Sequence, residues 1–113
     1  MINRDLDRLK QIAHSIQRIK SIIHLKNKEE FLNSEDMQEL VAFNLINIGE
    51  NAGKISDELK LSNSTIPWRQ ISALRNIIVH DYINIQQNII WNTVKNDIPK
   101  LEEEINSLIS SID

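Results

Sequence analysis

A chain of 113 residues fits one domain, with room for a core but little room for a second site. Apolar residues make up 41% and only two glycines and two prolines interrupt them, which predicts a folded chain of helices joined by few turns. The net charge of -3 argues against nucleic-acid binding by bulk electrostatics, and the lack of cysteine excludes disulfides and thiol catalysis.

The first helix is predicted from about Asn3 to Leu25. Leu6, Leu9, Ile12, Ala13, Ile16, Ile19 and Ile23 recur at steps of three and four, which makes one helical stripe. The charged start, Met1-Ile2-Asn3-Arg4-Asp5-Leu6-Asp7, lacks the apolar run of a signal peptide. With no apolar stretch near membrane-spanning length, the expectation is a soluble, cytoplasmic protein with no membrane partner. Lys26 to Asn33 reads as a polar connection with a short helical turn anchoring Phe31.

Ser34 reads as the N-cap of a long second helix reaching Leu59, with Glu35 and Asp36 in its first turn. Met37, Val41, Leu45, Ile48, Ala52, Ile55 and Leu59 form its core face. A polar stripe, Asn44, Asn47, Asn51 and Lys54, runs beside it, with Glu50 close by. This stripe is either a solvated face or a polar floor near a site, since asparagine is a poor interior helix former. Asn47, Glu50 and Asn51 are the candidate floor residues.

After a Ser62–Thr65 loop, Pro67 suits the first turn of a third long helix ending near His80. Asn84 reads as the cap of a last helix carrying Ile85, Ile89, Val94, Ile98, Leu101, Ile105 and Leu108. Pro99 lies inside that pattern and should kink or interrupt it after about Lys95. The expected fold class is all-α: one domain over residues 1–113, an antiparallel bundle of about four main helices.

The chemistry concentrates in Arg75-Asn76-Ile77-Ile78-Val79-His80-Asp81-Tyr82. Asn76 and His80 are four apart and share a helix face, so the Asn76 carbonyl is placed to hold one imidazole nitrogen. Arg75 lies about 140° from His80 on a continuous helix. Their convergence requires a fray near His80 or a second copy of the chain. A histidine for proton transfer and an arginine fork for phosphate are the minimum for metal-independent RNA cleavage. The competing reading makes His80 a cap on the last carbonyls and Arg75 a surface charge. His14 and His24 are ten apart without a carboxylate constellation, so no metal site is expected. The run Glu102-Glu103-Glu104 reads as a solvated face.

The pattern Arg75, four residues, His80, one residue, Tyr82 resembles the signature of HEPN ribonucleases, specifically their HepT-like branch. Ile46-Asn47-Ile48-Gly49-Glu50 resembles that branch's Ile-Gly-Glu segment. Ile66-Pro67-Trp68 with Ile71, then Ile90-Trp91 and Asp97-Ile98-Pro99-Lys100-Leu101, extend the likeness over most of the chain in order. The resemblance implies a homodimeric helical bundle acting as the toxin of a type VII toxin–antitoxin module. It implies RNA cleavage in a cleft shared by two copies, with Arg75 and His80 catalytic, and no cofactor for that step. The implied partner is a minimal nucleotidyltransferase antitoxin, which would use ATP and Mg2+ to transfer AMP to Tyr82. An alternative is a non-catalytic helical module that docks such a nucleotidyltransferase.

Overall fold

The computed structural model describes residues 3–112, so the charged start at Met1 and Ile2 lies outside the described residues. Helix α1 spans Asn3–Ile23, α2 Lys28–Leu32, α3 Glu35–Lys54, α4 Asp57–Ser62 and α5 Trp68–Asp81. A 3-10 turn over Tyr82–Asn84 follows, then α6 Gln87–Asn92, a π turn Thr93–Asp97 and α7 Ile98–Ile112. No strand occurs among the described residues. The bundle has four long rods: α1, α3, α5 and the run from α6 through α7. The all-α architecture expected from the sequence is the one found.

Helix α1 buries Leu9, Ile12, Ile16 and Ile19 against Val41, Leu45 and Ile48 of α3 and Ile105 of α7. Each such side chain contributes on the order of 1.5–3 kcal/mol by leaving water. Phe31, held by α2, is fully buried and packs its ring on Trp91 at 5.4 Å between centroids. The Asn27–Glu30 capping box, with reciprocal bonds of 2.8 and 3.0 Å, makes this five-residue helix a defined element rather than a loop.

Two boundaries differ from expectation, the end of α3 and the start of the last helix. Helix α3 stops at Lys54, and Ile55 is extended at φ -63°, ψ 141°. The break arises because Ser56 caps a new helix, and its N–H and Oγ both donate to the buried Asp5 carboxylate at 3.0 and 2.6 Å. Leu59 therefore belongs to α4. Asn84 does not cap the last helix: its amide donates to Asp81 at 2.7 Å, and α6 begins after Gln86. Ile85 thus precedes α6, and Ile89 faces outward, 54% exposed. The α-helix is interrupted ahead of Pro99, as expected, without the run ending there. The wide π turn Thr93–Asp97 precedes it and relieves the clash its ring would make with the carbonyl four residues back. Glu102 is also more than a solvated charge, since it accepts from Lys20 at 3.1 Å and from Gln17.

Candidate active site

Helices α3 and α5 run antiparallel and unusually close at Gly49. A Cβ at this position would overlap the Cβ of Arg75 and stand 3.0 Å from the Ile71 carbonyl oxygen. The missing side chain lets α5 rest on α3 and sets the root of Arg75 against the α3 backbone. One turn of α3 carries both the gap and the carboxylate that uses it. Glu50 accepts from Arg75 Nη2 at 3.0 Å.

The guanidinium is held from its other end by Asn76, whose Oδ1 accepts from Nη1 at 3.0 Å. This corrects the expectation that Asn76 orients His80. The amide is spent on its neighbour in sequence, and no Asn76–His80 bond occurs among the described residues. Arg75 Nε is buried without a hydrogen-bond partner. The side chain as a whole remains 29% exposed. It is thus a fixed planar fork whose exposed N–H groups leave room for a further oxyanion.

His80 lies in the last turn of α5 with an exposed side chain. The helix is continuous through Asp81, so the fray that would bring His80 around to Arg75 does not occur. The two stand about 140° apart in azimuth and about 7.5 Å apart along the axis. One copy of the chain places both groups near each other without facing them at the same point.

Tyr82 begins the 3-10 turn and is half-buried. Burial pushes its phenol above the ordinary value, the carboxylates of Glu39 and Glu35 push it further, and Gln87 acts the other way. Tyr82 therefore sits by the amino end of α3, whereas Arg75 sits toward its carboxyl end.

Of the candidate polar floor, only Glu50 reaches the cluster. Asn51 Nδ2 donates to the Asn47 backbone carbonyl at 2.8 Å, so the Asn51 side chain is spent on its own helix, and Asn47 does not line the cavity beside Arg75. Asn44 does the same with Leu40 at 2.8 Å and is buried. Beside Arg75 lies a cavity of about 420 Å³ lined by Gly49, Glu50, Gly53, Lys54, Ser72 and Asn76. Gly49 and Lys54 were legible only weakly: a glycine inside a helical pattern signals close packing, and the lysine closes the polar stripe. Ser72 carried no signal. Among the described residues no group of three or more histidines and carboxylates is arranged to hold a metal.

Residues 12–108 match the family model described as Ribonuclease HepT-like. The chain belongs to the HepT-like family. It is 32% identical over 102 residues to a Thermococcus cleftensis protein named probable ribonuclease HepT, covering 90% of this chain and 93% of that one. A Methanocaldococcus jannaschii protein named for gamma-glutamylcyclotransferase and RNase is 30% identical over 105 residues. That match takes in 93% of this chain but only 47% of the relative, so the chain spans about half of that protein's length. A Caldanaerobacter subterraneus protein named as an RNase is 27% identical over 101 residues, covering 89% of this chain and 87% of its own length. No solved structure gives a significant match. The Arg75–His80–Tyr82 pattern thus lies in a HepT-like chain of the HEPN superfamily, inside the matched residues.

Proposed function

We propose that this HepT-like chain is an endoribonuclease that cleaves RNA with Arg75 and His80 drawn from two copies of itself. The observation that carries the reading is the pairing of a fixed fork with a free imidazole on one unbroken helix. Arg75 is held by Glu50 and Asn76, and His80 projects into solvent beyond it. Two-fold symmetry presents the motif twice and lets the arginine of one copy face the histidine of the other.

The surface next to the motif suits that assembly. Leu40 and Phe43 are 48% and 62% exposed, and they continue the α3 stripe that leads through Asn47 to Glu50. Large apolar side chains left in water beside a polar cluster favour association. The same face would dock a nucleotidyltransferase if the chain were only a binding module.

In the cleft, His80 takes the proton from a ribose 2′-OH as O2′ attacks phosphorus. The P–O5′ bond breaks, and an imidazolium returns a proton to O5′. The product is a 2′,3′-cyclic phosphate. Arg75 stabilises the charge that develops on the phosphoryl oxygens. The attacking oxygen belongs to the substrate, so this step calls for no cofactor.

The wider setting is the toxin half of a type VII toxin–antitoxin module. A cognate minimal nucleotidyltransferase, using ATP and Mg2+, would transfer AMP to Tyr82. The phosphate would lie beside Glu39 and Glu35 rather than against Arg75 of the same chain, so it would enlarge an existing negative field at the cleft mouth. RNA would then be repelled rather than merely displaced.

The test is incubation of the purified protein with cellular RNA in EDTA, beside His80→Ala. Cleavage by the parent protein that leaves cyclic-phosphate ends, and its loss in the variant, is the expected result. Equal cleavage by both removes His80 from the chemistry. Cleavage by neither, with tight nucleotidyltransferase binding, favours the docking module.

A further inference from the structure

The cavity beside Arg75 has a neighbour. A second cavity, of about 620 Å³, opens beyond it between α4 and the start of α5, and Ser72 lines both. Lys60 and Arg69 stand on the second cavity, and no carboxylate does. The first holds Arg75, Lys54 and one carboxylate, Glu50, which is already bonded to Arg75. The two volumes are tied together by Lys60, whose Nζ lies 3.4 Å from the Gly53 carbonyl oxygen. Gly53 itself lines the first cavity, with Ser72 Oγ in ordinary contact at 3.6 Å from where its side chain would begin. Four cations thus border the trough formed by these two adjoining cavities, on a chain whose net charge is -3.

The spacing along the trough fits a nucleic-acid strand. Arg69 precedes Arg75 by six residues of α5, about 9 Å along the axis and about 120° around it, with Ser72 midway on the same three-residue ridge. That is the length of roughly two to three stacked nucleotides at 3.4 Å each. The trough offers bases little to read. Its one aromatic, Trp68, is buried and spends its indole N–H on the Asn63 carbonyl at 3.1 Å. The rest of the lining is cationic and polar, Lys60 and Arg69 with Ser64, Thr65 and Gln70, beside the apolar Leu61, Ile66 and Pro67.

The geometry points to a backbone track: the trough from Arg75 through Ser72 to Lys60 and Arg69 holds the phosphates of single-stranded RNA flanking the cleavage point. It rests on the ribonuclease reading above and adds where the rest of the substrate lies. The track explains how an acidic protein engages RNA, because the attraction is local. It makes affinity depend on substrate length and salt, with little dependence on base identity.

The test measures anisotropy of two labelled RNAs, an octanucleotide and a dinucleotide, both with 2′-O-methyl riboses that block cleavage. The proteins are the parent chain, Lys60→Gln/Arg69→Gln and the charge-keeping Lys60→Arg/Arg69→Lys. The octanucleotide should bind the parent far better than the dinucleotide does. In the glutamine variant that advantage should shrink about tenfold, and the slope of log affinity against log salt should fall by about 1.4, the release expected for two single-strand contacts. The charge-keeping variant should restore both. An unchanged advantage and slope in a folded glutamine variant overturns the track. Should loss of the Lys60–Gly53 bond unfold the double variant, Arg69→Gln alone, on an exposed side chain, carries the same two readings at half the size. Cleavage of unmodified RNA is scored separately. A track-dependent affinity without cleavage refutes the ribonuclease reading and keeps the track, whereas cleavage with charge-independent binding does the reverse.

Discussion

Gly49 and Arg75 share a space that only one of them can fill. The Cβ that Gly49 lacks would overlap the Cβ of Arg75, an atom fixed to the α5 backbone and unable to swing away. Substituting Gly49→Ala must therefore push the helices apart. The expected cost is about 1–3 kcal/mol of stability, the range for an overpacked core methyl. Arg75 would be displaced at the same time. Urea unfolding should show the loss, and RNA cleavage at a temperature where the variant stays folded should fall further than the folded fraction does. Wild-type stability and cleavage together would refute this close approach.

Glu50 separates two effects on Arg75. The pair is partly exposed, with side chains 29% and 43% accessible, so solvent screening holds its contribution to stability at about 0–1 kcal/mol. Its larger effect is on position. Glu50→Gln keeps an acceptor for Nη2 and removes a negative charge, so RNA should bind a few-fold tighter with cleavage largely kept. Glu50→Ala frees the fork, and single-turnover cleavage should drop on the order of tenfold, in keeping with the cost of a misplaced catalytic group. Equal rates in the two variants would show that Glu50 acts by charge alone.

Tyr82 is the one tyrosine in the sequence, so its phenolate absorbance near 295 nm reports a single group. Burial and the Glu39 and Glu35 carboxylates raise its pKa above the ordinary value of 10.0. The neutral phenol is thus the form the fold favours. Its contribution to stability is complete below the unfolded value and is lost as pH rises from there through the folded value. The titration midpoint of the native protein should lie above 10.0, and Glu39→Gln should lower it. A midpoint at or below the ordinary value would contradict the described surroundings.

The same phenol is the proposed acceptor of AMP. Intact-mass measurement after incubation with the cognate nucleotidyltransferase, ATP and magnesium should show AMP increments in the parent protein and none in Tyr82→Phe. Tyr82→Phe should keep at least part of the nuclease activity and escape neutralisation. Increments that persist in the phenylalanine variant would place the modification elsewhere.

The rods of the bundle were legible because their stripes are long and regular. Leu9, Ile12, Ile16 and Ile19 could face only one core, and the all-α class followed. The break at Ile55 was not legible, because its cause is Asp5, a carboxylate 51 residues away that captures Ser56. The interruption before Pro99 was legible and its π form was not: the proline announces a break, and the backbone widens instead of kinking. At the site, the residue types were plain and their partners were not. Asn76 and His80 share a helical face, yet a neighbouring guanidinium takes the amide first. Glu50 stood beside a polar stripe in the sequence. Only the antiparallel packing of α3 on α5 makes it the partner of Arg75, and Gly49 is what permits that packing.

Arg75 and His80 would act from different copies, because an unbroken α5 holds them apart within one. Mixing Arg75→Ala and His80→Ala subunits tests this directly. Each variant alone should lack RNA cleavage in EDTA. Mixed dimers contain one site with both groups intact, so cleavage should return, up to about half the parent rate per mixed dimer under the two-fold arrangement. A mixture that forms dimers yet stays as inactive as its separate components would contradict the shared cleft.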